Sequence, residues 1–224
     1  MTDSGEASNR GGQERTVVHL VRHGEVDNPK GVLYGRMPDF HLSELGREMA
    51  VRVGEYLQRN DITHLVSSPL ERAQETIEPL AEKLHQEVTL DDRVIEAAND
   101  FEGLTVGQNP KQLLNPRLWP KLVNPKVPSW GEPYEQIAER MRAAVTDARE
   151  AARGHEAVIV SHQLPVWTAR QSYENKRLWH DPRKRECALA SVTSLTFIGD
   201  SLVSVQYAEP AADLVARASK VPGA

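Results

Sequence analysis

Three short runs of branched apolar residues, Val17 to Val21, Ile62 to Val66 and Ala157 to Val160, punctuate an otherwise polar chain. Short runs of this kind, rich in branched residues, predict strands covered on both faces, as in a parallel sheet. Between and after them the apolar period lengthens. Leu45, Met49, Val53 and Leu57 recur every four residues, and Leu70, Ala73, Ile77, Ala81 and Leu84 every three or four, so each set gives a helix one apolar stripe. The second of these helices has a predicted start: Ser68 with Glu71 reads as a capping box, and Pro69 suits the first helical position. A third helix is predicted from about Pro133 to Arg153, with Tyr134, Ile137, Met141, Val145 and Ala148 inward and Gly154 as its stop. Leu189 to Ile198 and Leu202 to Tyr207 flank Gly199-Asp200, the signature of a two-residue hairpin. This order predicts an α/β fold: a three-layer α/β/α sandwich whose central sheet is mostly parallel with one antiparallel strand or hairpin.

The ends of the chain lack this patterning. Residues 1–15 are polar and glycine-bearing and predict a loose tail; the same reading applies to 209–224, leaving one domain over 16–208. Two stretches inside that domain also break the pattern. Residues 97–131 are dense in Pro and Asn, and residues 163–187 open as a helix and then turn strongly basic. Loops of this length within a compact domain predict binding loops or lids.

Charge narrows the function. Against 27 Lys and Arg stand 32 Asp and Glu, a net charge of -5, which argues against general nucleic-acid or membrane-surface binding. An anionic partner must then be recognised locally. Cys187 is the one cysteine, so no internal disulfide can form, and the start MTDSGEASNRGGQER has neither a basic n-region nor an apolar h-region. No apolar run is long enough to span a bilayer. The expectation is a cytoplasmic protein.

Candidate chemistry gathers at the strand ends. The first strand ends Val21-Arg22-His23-Gly24-Glu25, the second leads through Ser67-Ser68-Pro69 to Arg72 in the first turn of a helix, and the third ends Ser161-His162. In open α/β sheets ligands bind at that carboxyl edge. A helix start attracts anions, and a guanidinium fork beside it suits a tetrahedral oxyanion. Taken singly, each residue has a plainer reading: a histidine closing a strand, or an arginine pairing with Glu71 or Glu75. Metal binding is the rival for paired histidines, but a catalytic zinc site wants three protein ligands, and the neighbouring arginines would repel a cation. No metal and no cofactor are expected.

With Arg22-His23-Gly24-Glu25, Arg72 and Ser161-His162 in this order, the sequence resembles the histidine phosphatase superfamily, in its phosphoglycerate mutase-like branch, over nearly all of 16–208. The resemblance implies that His23 becomes a phosphohistidine and that Arg22, Arg72 and His162 surround the phosphoryl group. It also implies a general acid before a Trp-Glu-Gly element. Here Arg93-Val94-Ile95-Glu96 precedes Phe101-Glu102-Gly103, which selects Glu96, with Asp100 and Glu102 as substitutes because the spacing is one residue short and Phe101 replaces the Trp. Where the family has Thr or Ser after its Glu, this chain has Val26-Asp27-Asn28-Pro29, with Asn28 as a candidate phosphate contact. Gln163-Leu164-Pro165 replaces the usual glycine after the second histidine.

The expected activity is hydrolysis of a small phosphorylated metabolite. Phosphoglycerate mutase and a phospho-ligand binding module without turnover are the alternatives. Trp119, Trp130, Trp167 and Trp179 lie in or beside the two irregular stretches together with Arg117, Lys121, Arg170, Lys176, Arg177, Arg183, Lys184 and Arg185. That combination suits an anionic ligand with a flat or apolar part, or else a set of loop anchors under a solvated surface. The exposed edge of the hairpin would allow two chains to pair as a homodimer.

Overall fold

A computed structural model describes residues 14–105 and 131–218. The expected tail over 1–13, the lid positions 106–130 with Trp119, Trp130, Arg117 and Lys121, and residues 219–224 lie outside the described part.

The apolar runs become strands and the stripes become helices. In chain order these are β1 (Arg15–Arg22), α1 (Glu44–Leu57), β2 (Ile62–Ser67), α2 (Glu71–Leu84), β3 (Val88–Leu90), α3 (Tyr134–Ala151), β4 (Glu156–Ser161), α4 (Gln163–Tyr173), β5 (Val192–Ile198), β6 (Ser201–Ala208) and α5 (Ala212–Val215). One sheet runs β3-β2-β4-β1-β5-β6. Its β3-β2-β4-β1 part is parallel, and the β5-β6 hairpin adds to β1 antiparallel. Register puts Arg22 opposite Ser161 and Ser67 opposite Val160, so the carboxyl ends of β1, β2 and β4 meet at one edge. The sandwich has its expected three layers. Met49, Val53 and Leu57 of α1 pack with Ala73, Ile77 and Leu80 of α2 on one face of the sheet. Ile137, Met141, Val145 and Ala148 of α3 pack with Val166, Trp167 and Ala169 of α4 on the other.

Three local expectations are corrected. Helix α2 starts at Glu71 with Leu70 as its N-cap and no side-chain cap, so the Ser68 to Glu71 box does not form. Ser68 is instead turned toward His162, its Oγ lying 2.8 Å from Nε2. Strand β5 begins at Val192 rather than Leu189, because Ala190 sits at a positive φ of 55° and turns the chain. The C-terminal segment is not loose from Glu209: Ala211, at the N-cap of α5, and Leu214 within it are buried and packed with the α1 and α2 face. Strand β3 was not foreseen. Its residues are exposed or half-exposed, and its existence rests on pairing with β2.

Candidate active site

The loop after β1 is pressed tightly against the start of α1. A Cβ on Gly46 would stand 2.0 Å from the Glu25 carbonyl oxygen, and one on Gly24 2.6 Å from the Gly46 oxygen, so any side chain at either position would force the loop and helix apart. Ser43 completes the junction: it caps α1 by accepting from the Gly46 amide, and its hydroxyl donates to Glu25 Oε2 at 2.5 Å. The Gly24 amide donates to Thr76 Oγ1 on α2, and Thr76 donates to the Arg72 carbonyl. The His23 backbone is thereby held from both neighbouring helices.

At the strand edge His23, Arg72 and His162 are fully buried. Their rings and guanidinium converge: the two imidazole centroids are 5.1 Å apart at 61°, and Arg72 lies 4.7 Å over the Tyr34 ring while donating to the Gly35 carbonyl at 2.5 Å. The plainer reading, in which Arg72 pairs with Glu71 or Glu75, does not hold. Glu75 is engaged by the Leu42 amide, His41 and Arg47 instead. Arg22 donates to the Cys187 carbonyl at 2.8 Å. Among the described residues, His23 Nε2, His162 Nδ1, Arg22 Nε, and Arg72 Nε and Nη1 are buried without a hydrogen-bond partner. Buried polar groups are normally paired, so such a concentration marks a place built for a polar ligand.

Hydrogen bonding gives both histidines the Nδ1–H tautomer but leaves opposite nitrogens free: the Nε2 lone pair of His23 and the Nδ1–H of His162. His23 Nδ1 lies 2.7 Å from the Gly24 carbonyl, which only accepts, so Nδ1 carries the proton and Nε2 keeps its lone pair. Ser68 Oγ accepts the Leu70 amide at 3.4 Å and donates to His162 Nε2, which leaves Nδ1–H of His162 as a donor. Burial first, and then the guanidiniums of Arg72 and Arg22, hold His23 well below the usual imidazole pKa; burial and Arg72 do the same to His162. Both rings are neutral near pH 7.

Glu96 is buried beside this cluster, in a cleft lined by Gly35, Glu132, Tyr134, Leu164 and Arg185. Burial pushes its carboxyl above the usual range, opposed by the Ala97 amide and by Arg72, Arg185 and Arg22. Its segment is clamped in place. Arg36 donates to the Glu96 carbonyl, Arg140 to the carbonyls of Arg93 and Ile95, and both arginines hold the Glu132 carboxylate. Of the substitutes for Glu96, Glu102 accepts the Arg36 amide at 2.8 Å and lies near enough to Arg72 to act on it, while Asp100 is exposed. Asn28 has its amide bonded to the Val32 carbonyl and its carbonyl to the Val32 amide, so its side chain closes the 28–32 loop on itself. Among the described residues, no three His, Cys, Asp or Glu side chains gather where a metal ion would bind, and no helix is long and apolar enough to cross a membrane.

The family model described as "Histidine phosphatase superfamily (branch 1)" matches residues 18–210. The chain belongs to the histidine phosphatase superfamily. It is 56% identical over 199 residues to "Uncharacterized protein Rv0525" of Mycobacterium tuberculosis, covering 89% of this chain and 98% of that protein. It is 30% identical over 186 residues to "Probable phosphoglycerate mutase GpmB" of Salmonella arizonae, covering 78% and 83%. Among solved structures, the mycobacterial glucosyl-3-phosphoglycerate phosphatase Rv2419c superposes with a TM-score of 0.69 at 26% identity, over 86% of this chain and 97% of that one. Bacillus stearothermophilus YhfR gives 0.71 at 25% identity, over 84% and 94%. The superfamily's phosphatases are metal-independent phosphoric monoester hydrolases, and a phosphohistidine is their typical intermediate.

Within this histidine phosphatase fold, sequence reasoning missed Tyr34, Ser68 as a partner of His162, and the Arg36–Glu132–Arg140 clamp. Tyr34 left a weak trace, a buried aromatic two residues from Arg36 in a loop without periodicity. The clamp left none, since Arg36 lies about a hundred positions from Glu132 and Arg140 and all three look like ordinary surface charges.

Proposed function

We propose that this chain hydrolyses phosphomonoesters of small metabolites by passing the phosphoryl group through His23 Nε2. The observation that carries the reading is the unpartnered, lone-pair-bearing Nε2 of a neutral His23, set among the guanidiniums of Arg22 and Arg72 and the Nδ1–H of His162. In the first step Nε2 attacks phosphorus, the ester P–O bond breaks, and Glu96 gives its proton to the departing oxygen. In the second, the Glu96 carboxylate takes a proton from water, whose oxygen attacks phosphorus and breaks the P–N bond, restoring His23 and Glu96. Arg22, Arg72 and His162 hold the equatorial oxygens throughout; phosphoryl transfer needs little more than such positioning and charge stabilisation. Asn28 shapes the neighbouring loop in this scheme rather than touching phosphate.

Similarity to the phosphoglycerate mutase named above supports a second reading, in which the phosphoryl group returns to the substrate instead of passing to water. Retention of both histidines and both arginines argues against a binding module without turnover. The test is phosphate release from an activated aryl phosphate, with a chelator present, by wild type and His23→Ala. Release by wild type alone supports the hydrolase; isomerisation stimulated by a bisphosphate, without net phosphate release, marks the mutase. A single, buried Cys187 suits a reducing compartment, in keeping with a cytoplasmic place for the enzyme. Strand β6 is a sheet edge with Val203 exposed, and pairing of two chains along it is the form a homodimer would take.

A further inference from the structure

The arginines that the fold shields from solvent divide into two groups. Arg36, Arg93, Arg140, Arg149 and Arg170 each pair with a carboxylate. Among the described residues, Arg22, Arg72 and Arg185 pair with none, and all three lie close enough to Glu96 to act on its carboxyl. Arg22 and Arg72 belong to the phosphate site already described. Arg185 does not: it comes from the basic segment after α4 and lines the Glu96 cleft together with Gly35, Tyr134 and Leu164.

Its neighbours hold the guanidinium without neutralising it. Nε donates to His180 Nε2 at 2.8 Å and Nη1 to Gln163 Oε1 at 3.2 Å, both uncharged acceptors. His180 is fixed in the accepting tautomer, because its Nδ1 donates to the Leu178 carbonyl at 2.6 Å, and its ring is wedged against Tyr134 and Trp167 with centroids 5.4 and 5.7 Å away. A side chain needed only to close this loop would work as well without charge. The charges in the cleft point the same way: with both catalytic histidines neutral, Arg22 and Arg72 match a phosphate dianion, and Arg185 is left as one further positive charge on the side where the general acid meets the leaving group.

We infer that Arg185, oriented by His180 and Gln163, is a specificity residue that binds a second anionic group on the leaving group, a carboxylate or a second phosphate. This rests on the phosphomonoester reading of the same site. The favoured substrates are small phosphate esters bearing that group within a few bonds of the ester oxygen. A planar guanidinium with two positions already fixed offers its remaining N–H groups at little entropic cost.

The test compares glycerol 3-phosphate, which has no second anion, with 3-phosphoglycerate, which has a carboxylate, and glycerol 1,3-bisphosphate, which has a second phosphate. Kinetics are measured on wild type, Arg185→Gln and Arg185→Lys. Wild type should prefer at least one of the charged esters, and which of them identifies the anion. Arg185→Gln should lose about 10- to 100-fold more kcat/KM on that ester than on glycerol 3-phosphate, mostly through KM, with partial recovery in Arg185→Lys. Equal losses on charged and uncharged esters, or a wild type indifferent to the second anion, would overturn the assignment and reduce Arg185 to a loop strut. Calorimetric binding of the same three esters to His23→Ala and to His23→Ala/Arg185→Gln separates this from the hydrolase reading. If wild type releases phosphate from none of the esters, the hydrolase reading fails, while a charged-ester preference that vanishes with Arg185 still sustains the subsite; equal binding of all three sinks it.

Discussion

His19 and His23 sit four residues apart at the same strand, both buried, and their surroundings make them opposites. His19 lies mid-strand with both nitrogens engaged: Nε2 is 2.7 Å from Glu156 and Nδ1 is 2.8 Å from Ser194 Oγ, while Asn60 also donates to Glu156. His23 lies just beyond the strand, with Nδ1 fixed by a carbonyl, Nε2 unpartnered, and arginines where His19 has a carboxylate. The carboxylate end is a closed network that holds β1, β4 and β5 together. In the proposed reaction the arginine end takes the phosphate dianion. The chemistry of a buried histidine here depends less on burial, which the two share, than on whether its second nitrogen is already engaged.

The comparison breaks most sharply on exchanging the two positions. His23→Ala should lower turnover by roughly 10⁴-fold or more, since no neighbouring group can form the phosphoenzyme, with the melting temperature little changed. His19→Ala should do the reverse: turnover within about threefold of wild type at a temperature where the protein is folded, but a loss of about 1–3 kcal/mol in denaturant unfolding. A His19 variant as inactive as His23→Ala while still folded would show that the division between the two histidines is wrong.

Arg72→Ala should follow, with a loss of about 10²- to 10³-fold in kcat, because it removes preorganised charge from the equatorial oxygens. Arg72→Lys should not restore it, since a lysine cannot both donate to Gly35 and present a fork. Glu96→Gln should then separate substrates by leaving group: about 10²-fold loss on alkyl phosphates and under about tenfold on an activated aryl phosphate, which needs little protonation. The Glu96 carboxyl is raised, so in wild type the alkaline side of the kcat/KM profile on alkyl esters falls as it ionises, and that limb should vanish in Glu96→Gln. Equal losses on both ester types would remove Glu96 from the acid role.

Much of this was readable from residue order, because parallel strands bring their ends together whatever lies between them. Arg22, His23 and His162 close apolar runs whose ends the sheet register brings together, and Arg72 enters from the first turn of the helix that follows β2. Local spacing makes Ser68 a helix cap because it cannot show that a histidine 94 positions away competes for its hydroxyl. The hold of Arg36 on Glu132 escaped for the same reason, and the link from His180 to Arg185, only five residues long, escaped because it lies in an irregular stretch where neither period nor propensity gives a signal. Strand β3 exists only through its pairing with β2 and has too few buried residues to leave an apolar pattern.

The smallest expected effect sharpens the comparison from the structural side. Chiefly through its hydrogen bond to His19, the Glu156 carboxyl is lowered from 4.5 to about 2. The folded protein therefore takes up this proton less readily than the unfolded chain, so the stabilisation is complete above about pH 4.5 and is lost as pH falls toward 2. Glu156→Gln should flatten that part of the stability profile, measured by urea unfolding between pH 5 and the lowest pH at which the wild type still folds, and leave turnover at pH 7 nearly unchanged. An acid stability slope identical in Glu156→Gln and wild type would assign the loss to other carboxylates and leave His19 as packing alone. A change confined to turnover would mean that the closed end of β1 communicates with the open one, which the rigid parallel register between Val17 and Arg22 gives no reason to expect.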